Sequence, residues 1–557
     1  MRKSLADEFS AIYVYNLRGN GRIGGEDGRK EGRPLFEFGG WRADGTEIKN
    51  SNGGSRATIA ILMLVKNPSR NGATLIRYAA VDDYLSAGMK IRAVEQANSF
   101  ARMQSKTLTP NAHGDWLSLR ADDFGKFIPI GAKHGDDLGG DTIFDTYSRG
   151  LETGRDAWVY NSSSSKLITN VRATVDAYND QVTSFTAHLA SHPGVKPKNL
   201  VNDFMDNDPT RISWTLSLKN RLVARRTLVA DSKRITTATY RPLFMQHVYY
   251  DRGLNHILGQ LTRIYPTVKH TNVGIYMIGP GATAPFGLLM TNALPDVQML
   301  GAGQNGQYFP RWTYELLADE NDGDGALFRS QDLDNQPNHT VDGYRRVDNI
   351  TDAALARFHD AYGPQITKDD VFHYVYGLLH SPGYRQRYAA DLKKMLPRIP
   401  LVVDANPYIQ AGQRLSEIHL GYEQASPYPL AGLDEVTPAH ASDLYKVAKM
   451  RFSAPTKGVK ATGQGIDRST ILYNEKLTVS GIPEDAYRYM LGSRSAIEWL
   501  IDRYQLKTDK SSKSTNDPND WSQGIGDPRY ILDLLCKIVS VSLETMVIVD
   551  ALPPIEI

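Results

Sequence analysis

Side chains able to read nucleic acid gather in one short stretch, Phe144–Asn161, with the sequence FDTYSRGLETGRDAWVYN. It carries Arg149, Arg155, Asp156, Trp158, Tyr160 and Asn161. Arginine and asparagine can each present paired hydrogen bonds to a base edge, and aromatic rings can stack on bases or wedge between them. The plainer reading is a structural loop in which Arg155 and Asp156 hold a turn; the residues by themselves leave both open. A second stretch, Thr239–Tyr250, sets Arg241 among aromatics, either at a binding face or at the edge of a core. A third, Asp370–Leu401, interleaves tyrosines with Arg385, Arg387, Lys393 and Lys394 around a break at Ser381-Pro382-Gly383. Its spacing predicts a helical pair with tyrosines inward and these bases outward.

Other motifs imply other chemistry but lack its context. RGNGRIGG places Gly19, Gly21 and Gly24 in a G-x-G-x-x-G pattern after a strand. A dinucleotide site needs a helix to start there, so that its N-terminus faces the pyrophosphate. EDGRKEGRP follows, charged, glycine-broken and proline-stopped, so no such helix is expected. What remains is a basic surface loop, or a loop lying on a phosphate backbone through Arg18, Arg22, Arg29, Lys30 and Arg33. Asn406-Pro407-Tyr408 is one proline short of the catalytic tetrapeptide of adenine-N6 methyltransferases, and reads as a loop before a helix at Gln413. Glu320, Asp322 and Asp324 resemble a calcium loop with the wrong first and twelfth residues. His359, His373 and His380 have no further ligand at a diagnostic spacing and read as helix-surface histidines.

The elements that must position these residues suit a multidomain chain of 557 residues, at ~150 residues per domain. An apolar fraction of 41% and a charged fraction of 23% are those of a folded protein. With 64 bases against 62 acids, any basic surface must arise by local segregation. Cys536, the single cysteine, excludes a disulfide framework and a cysteine-rich zinc site, and its apolar surroundings make it a core residue. No run reaches the ~18 apolar residues of a membrane span, and no signal-peptide core is evident, so a soluble, cytoplasmic protein is expected.

Ala11–Leu17 is a strand by its β-branched and aromatic content. Ala57–Val65, ATIAILMLV, has the continuous apolarity of a strand covered on both faces. Helices are expected over Leu85–Thr107 and Leu167–Leu189, and a mixed sheet over 230–300. Residues 318–348 are polar and Gly/Asp-rich, the best internal linker. Helices follow at Thr351–Tyr362, Lys368–Leu379, Gly383–Met395 and Gln413–Tyr422. Later come strands over Ile466–Val479, a helix over Pro483–Arg503, a polar loop and a final helix at Tyr530–Val549.

Several blocks coincide with one family: DEFSAIYVYNLRGNGR, GSRATIAILMLVKNP, YSRGLETGRDAWVYN, TYRPLFMQHVYYD, DVFHYVYGLLHSPGYRQRYAADLKKMLPRIPL, GQRLSEIHLGYE and NDPNDW. In this order they resemble the C-terminal third of Type ISP restriction–modification enzymes, which join nuclease, helicase, adenine methyltransferase and target-recognition domains in one polypeptide. The resemblance implies an α/β and α+β chain. Residues 1–105 would be the C-terminal remnant of a Rossmann-like methyltransferase sheet, without its catalytic and cofactor motifs. Residues 106–317 would be the mixed α/β part of the target-recognition domain, 318–348 a linker, and 349–557 its largely helical part. The implied partners are double-stranded DNA and the upstream helicase–methyltransferase polypeptide or domains. The implied DNA contacts are Arg18, Asn20, Arg22, Arg149, Arg155, Trp158, Tyr160, Asn161 and Arg241. S-adenosylmethionine is expected in the complete methyltransferase and not on this chain, which alone is expected to transfer no methyl group. The alternative is a scaffold that docks a helicase or methyltransferase and does not touch DNA.

Overall fold

The computed structural model describes residues 1–21, 25–36, 57–69, 72–132, 141–301, 303, 306–317, 340–433, 443–454 and 467–557. The N-terminal part is α1 (Arg2–Glu8), β1 (Ala11–Asn16), α2 (Gly25–Glu31), β2 (Ala60–Val65), β3 (Leu75–Ala80), α3 (Ala87–Ala97) and β4 (Lys106–Leu108). The strands form one sheet in the order β2-β1-β3-β4. β1 pairs antiparallel with β2 and parallel with β3, while β3 and β4 are antiparallel. Ile12 and Ile76, directly paired, are sealed on one face. Tyr15, Leu17, Ala79 and Val81 form the other core, under α3, whose first turn is capped by the Ser86 hydroxyl.

Two expectations are corrected here. β2 is not covered on both faces: it is the outermost strand, and Ile61, Leu62 and Met63 are 44%, 47% and 50% exposed. Continuous apolarity reports a strand meant to be covered, not one covered by these residues; such an edge invites a further strand or layer. The glycine-rich loop is also followed by a helix after all, the short α2. It ends at Gly32, whose φ of +68° and close approach to Leu85 suit only glycine, since a Cβ there would lie 2.3 Å from the Leu85 carbonyl oxygen.

Beyond residue 116 the hydrophobic residues form two large cores, and both are built across the proposed division of the target-recognition domain. One joins Leu151–Tyr308 to Leu430–Val539, including the buried helix Tyr530–Asp550 and Cys536, whose thiol burial pushes up to about 11. The other joins Phe124–Phe144 and Ile275–Met290 to the helices Asp352–Tyr362, Lys368–His380 and Asn406–Leu420. The first core is organised by the sheet Leu294–Pro295, Ile235–Arg241, Phe244–Tyr249, Tyr160–Asn161 and by the long helix Ser164–Ala190. The second half is helical to Leu420, then sheet-bearing, with strands at Arg451–Ser453, Asp467–Leu472 and Thr478–Ser480.

The proposed linker is not wholly a linker. Residues 318–339, which include the calcium-like loop, lie outside the described residues; Thr340–Val341 and Tyr344–Asp348 join Trp312–Leu316 in a three-stranded sheet. The motif Asn406-Pro407-Tyr408 is not a loop but the first turn of the helix Asn406–Leu420, with Pro407 where a missing N–H costs nothing. Pro483–Arg503 is not one helix: short strands at Met490–Leu491 and Arg494–Ser495 precede Ala496–Arg503. As expected, Tyr374, Tyr376, Tyr384 and Tyr388 are core residues. Here Gly377 and Gly412 let two helices touch backbone to backbone, since a Cβ on Gly412 would fall 1.8 Å from the His373 carbonyl oxygen.

Asp115 ties the N-terminal part to the helical core. Its carboxylate has no solvent access and accepts from Arg2 at 2.9 Å, Arg120 at 2.8 Å and Lys394 at 2.5 Å. Burial alone would raise its pKa; the hydrogen bonds from Arg120 and Lys394 reverse this and hold the carboxyl well below its ordinary range. Its contribution is therefore complete above its unfolded pKa of about 3.9 and declines as pH falls below that. Asp115→Ala should cost about 3 kcal/mol, the low end for a broken buried pair because the cations reach solvent. Urea unfolding at pH 7 and below pH 4 checks this, with the gap between variant and wild type expected to narrow in acid.

Candidate nucleic-acid interface

The structure places most of the sequence-selected residues inside the protein. The stretch Phe144–Asn161 is not an irregular surface loop at its end: Asp156–Val159 is a helical turn, and Tyr160–Asn161 is an edge strand against Phe244–Tyr249. Arg155, Trp158, Tyr160 and Asn161 are all buried. Arg155 donates through Nε to the Ser213 carbonyl at 3.1 Å and through Nη2 to the Thr215 hydroxyl at 2.8 Å, and burial lowers its pKa to about 10. Asn161 donates to the Thr515 carbonyl at 3.2 Å. Arg241 is sealed in an ion pair with Asp296 at 2.7 Å and stacks on Tyr240, so it belongs to the core edge and not to a surface. Arg149 stays partly exposed, paired with Glu152 at 3.0 Å. Arg18, in a left-handed conformation, pairs with Asp83, and the Asn20 amide donates to Glu31 at 3.0 Å. Arg22 lies outside the described residues.

What the fold does assemble is a groove between the N-terminal part and the large body. Arg18 and Lys30 form one wall of a recess of about 600 Å³; Arg385 and Lys393 form the other, with Ala282–Phe286 at its base. Arg29, the neighbour of Lys30 on α2, opens onto a second recess of about 500 Å³ with Lys449, Arg494, Glu498 and Asp502. Asp502 and Gln505 are shared with a third, narrower cavity of about 190 Å³ that includes Lys507. Along the two wide recesses Arg18, Arg29, Lys30, Arg385, Lys393, Lys449 and Arg494 outnumber Glu31, Glu498 and Asp502. A nearly neutral chain thus gathers more bases than acids along these two recesses, where low-dielectric walls strengthen the field.

Arg385 does not project outward as its helix spacing suggested. It is half-buried, donates through Nε to the Leu379 carbonyl at 2.6 Å and lies 5.9 Å from the Phe286 ring. It has no carboxylate partner among the described residues, and burial lowers its pKa to about 10, so it stays cationic at neutral pH. Lys30, Lys393, Lys449 and Lys507 are exposed and make no ion pair among the described residues. Lys394 instead serves Asp115, and Arg387 serves Asp123. The α2 wall is braced by Lys90, fully buried, whose ammonium donates to the Glu31 carbonyl at 2.7 Å. Lys449, Arg494 and Lys507 carry no sequence signal: each is an isolated base, brought to the groove only by the fold.

Among the described residues no cluster of His, Cys, Asp and Glu could hold a metal. His380 is not a surface histidine; it is buried, with Nδ1 2.8 Å from the Tyr376 carbonyl. His359 bonds the Ile366 carbonyl at 2.8 Å.

The chain is similar to a nuclease-deletion mutant of the Type ISP enzyme LlaGI, solved with a DNA substrate mimic, at 34% identity and a TM-score of 0.75. It is similar to the ATP-dependent Type ISP enzyme LlaBIII bound to DNA at 31% identity, and to DrdV in a DNA complex at 26%, both with a TM-score of 0.75. Each likeness covers 100% of this chain but 45%, 32% and 49% of those proteins, so the chain spans less than half their length. The Type ISP C-terminal specificity domain matches residues 142–534, and the chain belongs to that family. No curated protein matches it. Among the described residues no helix is long and apolar enough to cross a membrane.

Proposed function

We propose that this chain recognises duplex DNA for a Type ISP restriction–modification system, holding the backbone in the groove between its N-terminal sheet and its specificity body. The observation that carries this is the set of bases without carboxylate partners: Lys30 with Arg385 and Lys393 around one recess, and Lys449 in the second. Cations left uncompensated in a cleft suit an extended polyanion, because each phosphate neutralised releases condensed counterions. Of the residues selected from sequence, Arg18 lines the groove and Asn20 is fixed beside it; Tyr160 lines the narrow cavity at its far end. Arg155, Trp158, Asn161 and Arg241 shape the body that carries those walls.

In the complete enzyme, presenting one adenine to an N6-methyltransferase requires that the base leave the duplex, at a few kcal/mol of unstacking, which the groove contacts offset. The exposed apolar face of β2 supports the reading of residues 1–105 as the last part of a methyltransferase sheet, with the preceding domains packed on it. In this reading S-adenosylmethionine belongs to the complete methyltransferase, and this chain alone is expected to transfer no methyl group.

The test is fluorescence anisotropy with a random duplex over a range of salt. A DNA reader binds at low salt and weakens with a log–log slope of about −0.9 per phosphate contacted. No binding at low salt leaves the scaffold reading, in which the helical second half is the docking surface for a helicase partner.

A further inference from the structure

The recess walled by Arg18 and Lys30 on one side and by Arg385 and Lys393 on the other presents its cations in two different ways. Lys30 and Lys393 are exposed point charges on flexible stems. Arg385 is half-buried and fixed. Its Nε donates at 2.6 Å to the carbonyl of Leu379, in the last turn of the helix Lys368–His380, where helix carbonyls lack a partner of their own. The Phe286 ring, 5.9 Å from the guanidinium carbon, packs beside it. Both Nη atoms make no hydrogen bond among the described residues, and neither is sealed from solvent. The rest of the planar fork is therefore open to the recess that Arg385 lines.

The surroundings leave this charge uncompensated. The titratable groups that feel it are Tyr376, Tyr489, His380 and His419. Burial keeps both tyrosines protonated. Burial also keeps both histidines neutral, and the Arg385 charge lowers them further. Glu31 is the one carboxylate among the described residues that line the recess; it stands beside Lys30 and accepts from the Asn20 amide at 3.0 Å. Drawing a guanidinium part way out of water without an anion costs free energy. A ligand anion recovers that cost, and a fork of parallel N–H donors matches the oxygens of a phosphate better than a point charge does. Shape agrees. A base edge lies inside a groove of the duplex and is met by a protruding element, whereas a phosphate stands out from the duplex and suits a recess.

We propose that Arg385 is the register-setting contact of this recess: its fork holds one phosphate in a bidentate, partly desolvated pair, while Lys30 and Lys393 meet neighbouring phosphates as mobile charges. A duplex phosphate in the fork rests on the DNA-binding reading above; a free phosphate would enter the same fork without it. A phosphate held by a fixed fork sets position and orientation, which charges on flexible stems do not.

The experiment measures anisotropy of a random duplex over a range of salt, with the full chain and the variants Arg385→Lys, Arg385→Met and Lys393→Met. Arg385→Lys keeps the charge and removes the fork, so the salt slope should hold while affinity falls about tenfold. Lys393→Met removes one point charge and should cost about eightfold at ~0.1 M salt, the counterion effect alone. Arg385→Met loses that effect and the paired hydrogen bonds, and should cost about a hundredfold. Neither methionine variant strands a carboxylate, so both should fold. Wild-type affinity in Arg385→Lys overturns the assignment, as do equal losses in Arg385→Met and Lys393→Met; the second comparison decides alone if Arg385→Lys does not fold. In parallel, inorganic phosphate is titrated and followed by phosphorus NMR. Where the duplex binds, line broadening that Arg385→Met abolishes assigns the fork a free source as well, and no broadening assigns it to the duplex phosphate. If no duplex binds the wild type, the DNA reading fails and inorganic phosphate decides the fork. Broadening abolished in Arg385→Met then sustains it; no broadening, or broadening that the variant leaves unchanged, overturns it.

Discussion

A variant with Lys30, Lys393 and Lys449 all changed to glutamine is expected to bind random duplex DNA about 500-fold more weakly than wild type at ~0.1 M salt. Counterion release sets the size of the effect. Each phosphate contact contributes a slope of about −0.9, so its loss at ~0.1 M removes about 0.9 of a log unit, and the salt dependence flattens by the same increment per contact. The fold should survive, because these lysines are exposed, form no ion pair among the described residues, and leave no carboxylate stranded. A control removes Lys166 and Lys269, which pair with Asp520 at 2.7 Å and Asp342 at 2.8 Å away from the groove. Surface pairs of this kind are worth about 0–1 kcal/mol, so the control should keep both affinity and slope. If the groove variant keeps its slope, the cleft is not the DNA path.

Asp296→Asn should destabilise the central sheet by about 3–5 kcal/mol, the cost of leaving a buried charge without its partner. Both members of the Arg241–Asp296 pair are almost inaccessible, and the Asp296 carboxylate also accepts from the Gln298 amide at 2.8 Å. Burial pushes the Asp296 carboxyl up to about 7, opposed chiefly by Arg241. A chain of this size is unlike a small two-state domain, so the local readout is hydrogen exchange in Ile235–Arg241 and Phe244–Tyr249. Asp296→Asn should speed exchange there at neutral pH. The double variant Arg241→Met/Asp296→Leu should restore protection, since removing both charges removes the desolvation cost with them. Equal loss in the single and double variants would show that packing, not charge, holds the site.

The elements with a strong period were legible in the sequence. The helix Ser164–Ala190, the tyrosine-rich helix Lys368–His380 and the final helix Tyr530–Asp550 fall where hydrophobic spacing puts them, because their inward faces repeat every three to four residues. Boundaries failed where tertiary pairing overrode local composition. Thr340–Val341 and Tyr344–Asp348 look like linker, yet they are strands because Trp312–Leu316 lies alongside. β2 shows the converse: its residues state that a strand is to be covered but cannot state by what.

The sequence by itself determined the family, because blocks such as YSRGLETGRDAWVYN and TYRPLFMQHVYYD preserve residue identity in order, and order needs no coordinates. Only the tertiary structure decided which bases face a ligand. Arg155 and Arg385 are the same residue type in comparably aromatic stretches. The first is engaged by the Ser213 carbonyl and Thr215, 58 and 60 positions away along the chain. The second lines a cleft whose opposite wall comes from Arg18 and Lys30, more than half the chain distant. A guanidinium's availability depends on what lies within hydrogen-bonding reach after folding. Partners brought there by long-range packing leave no mark on the local sequence.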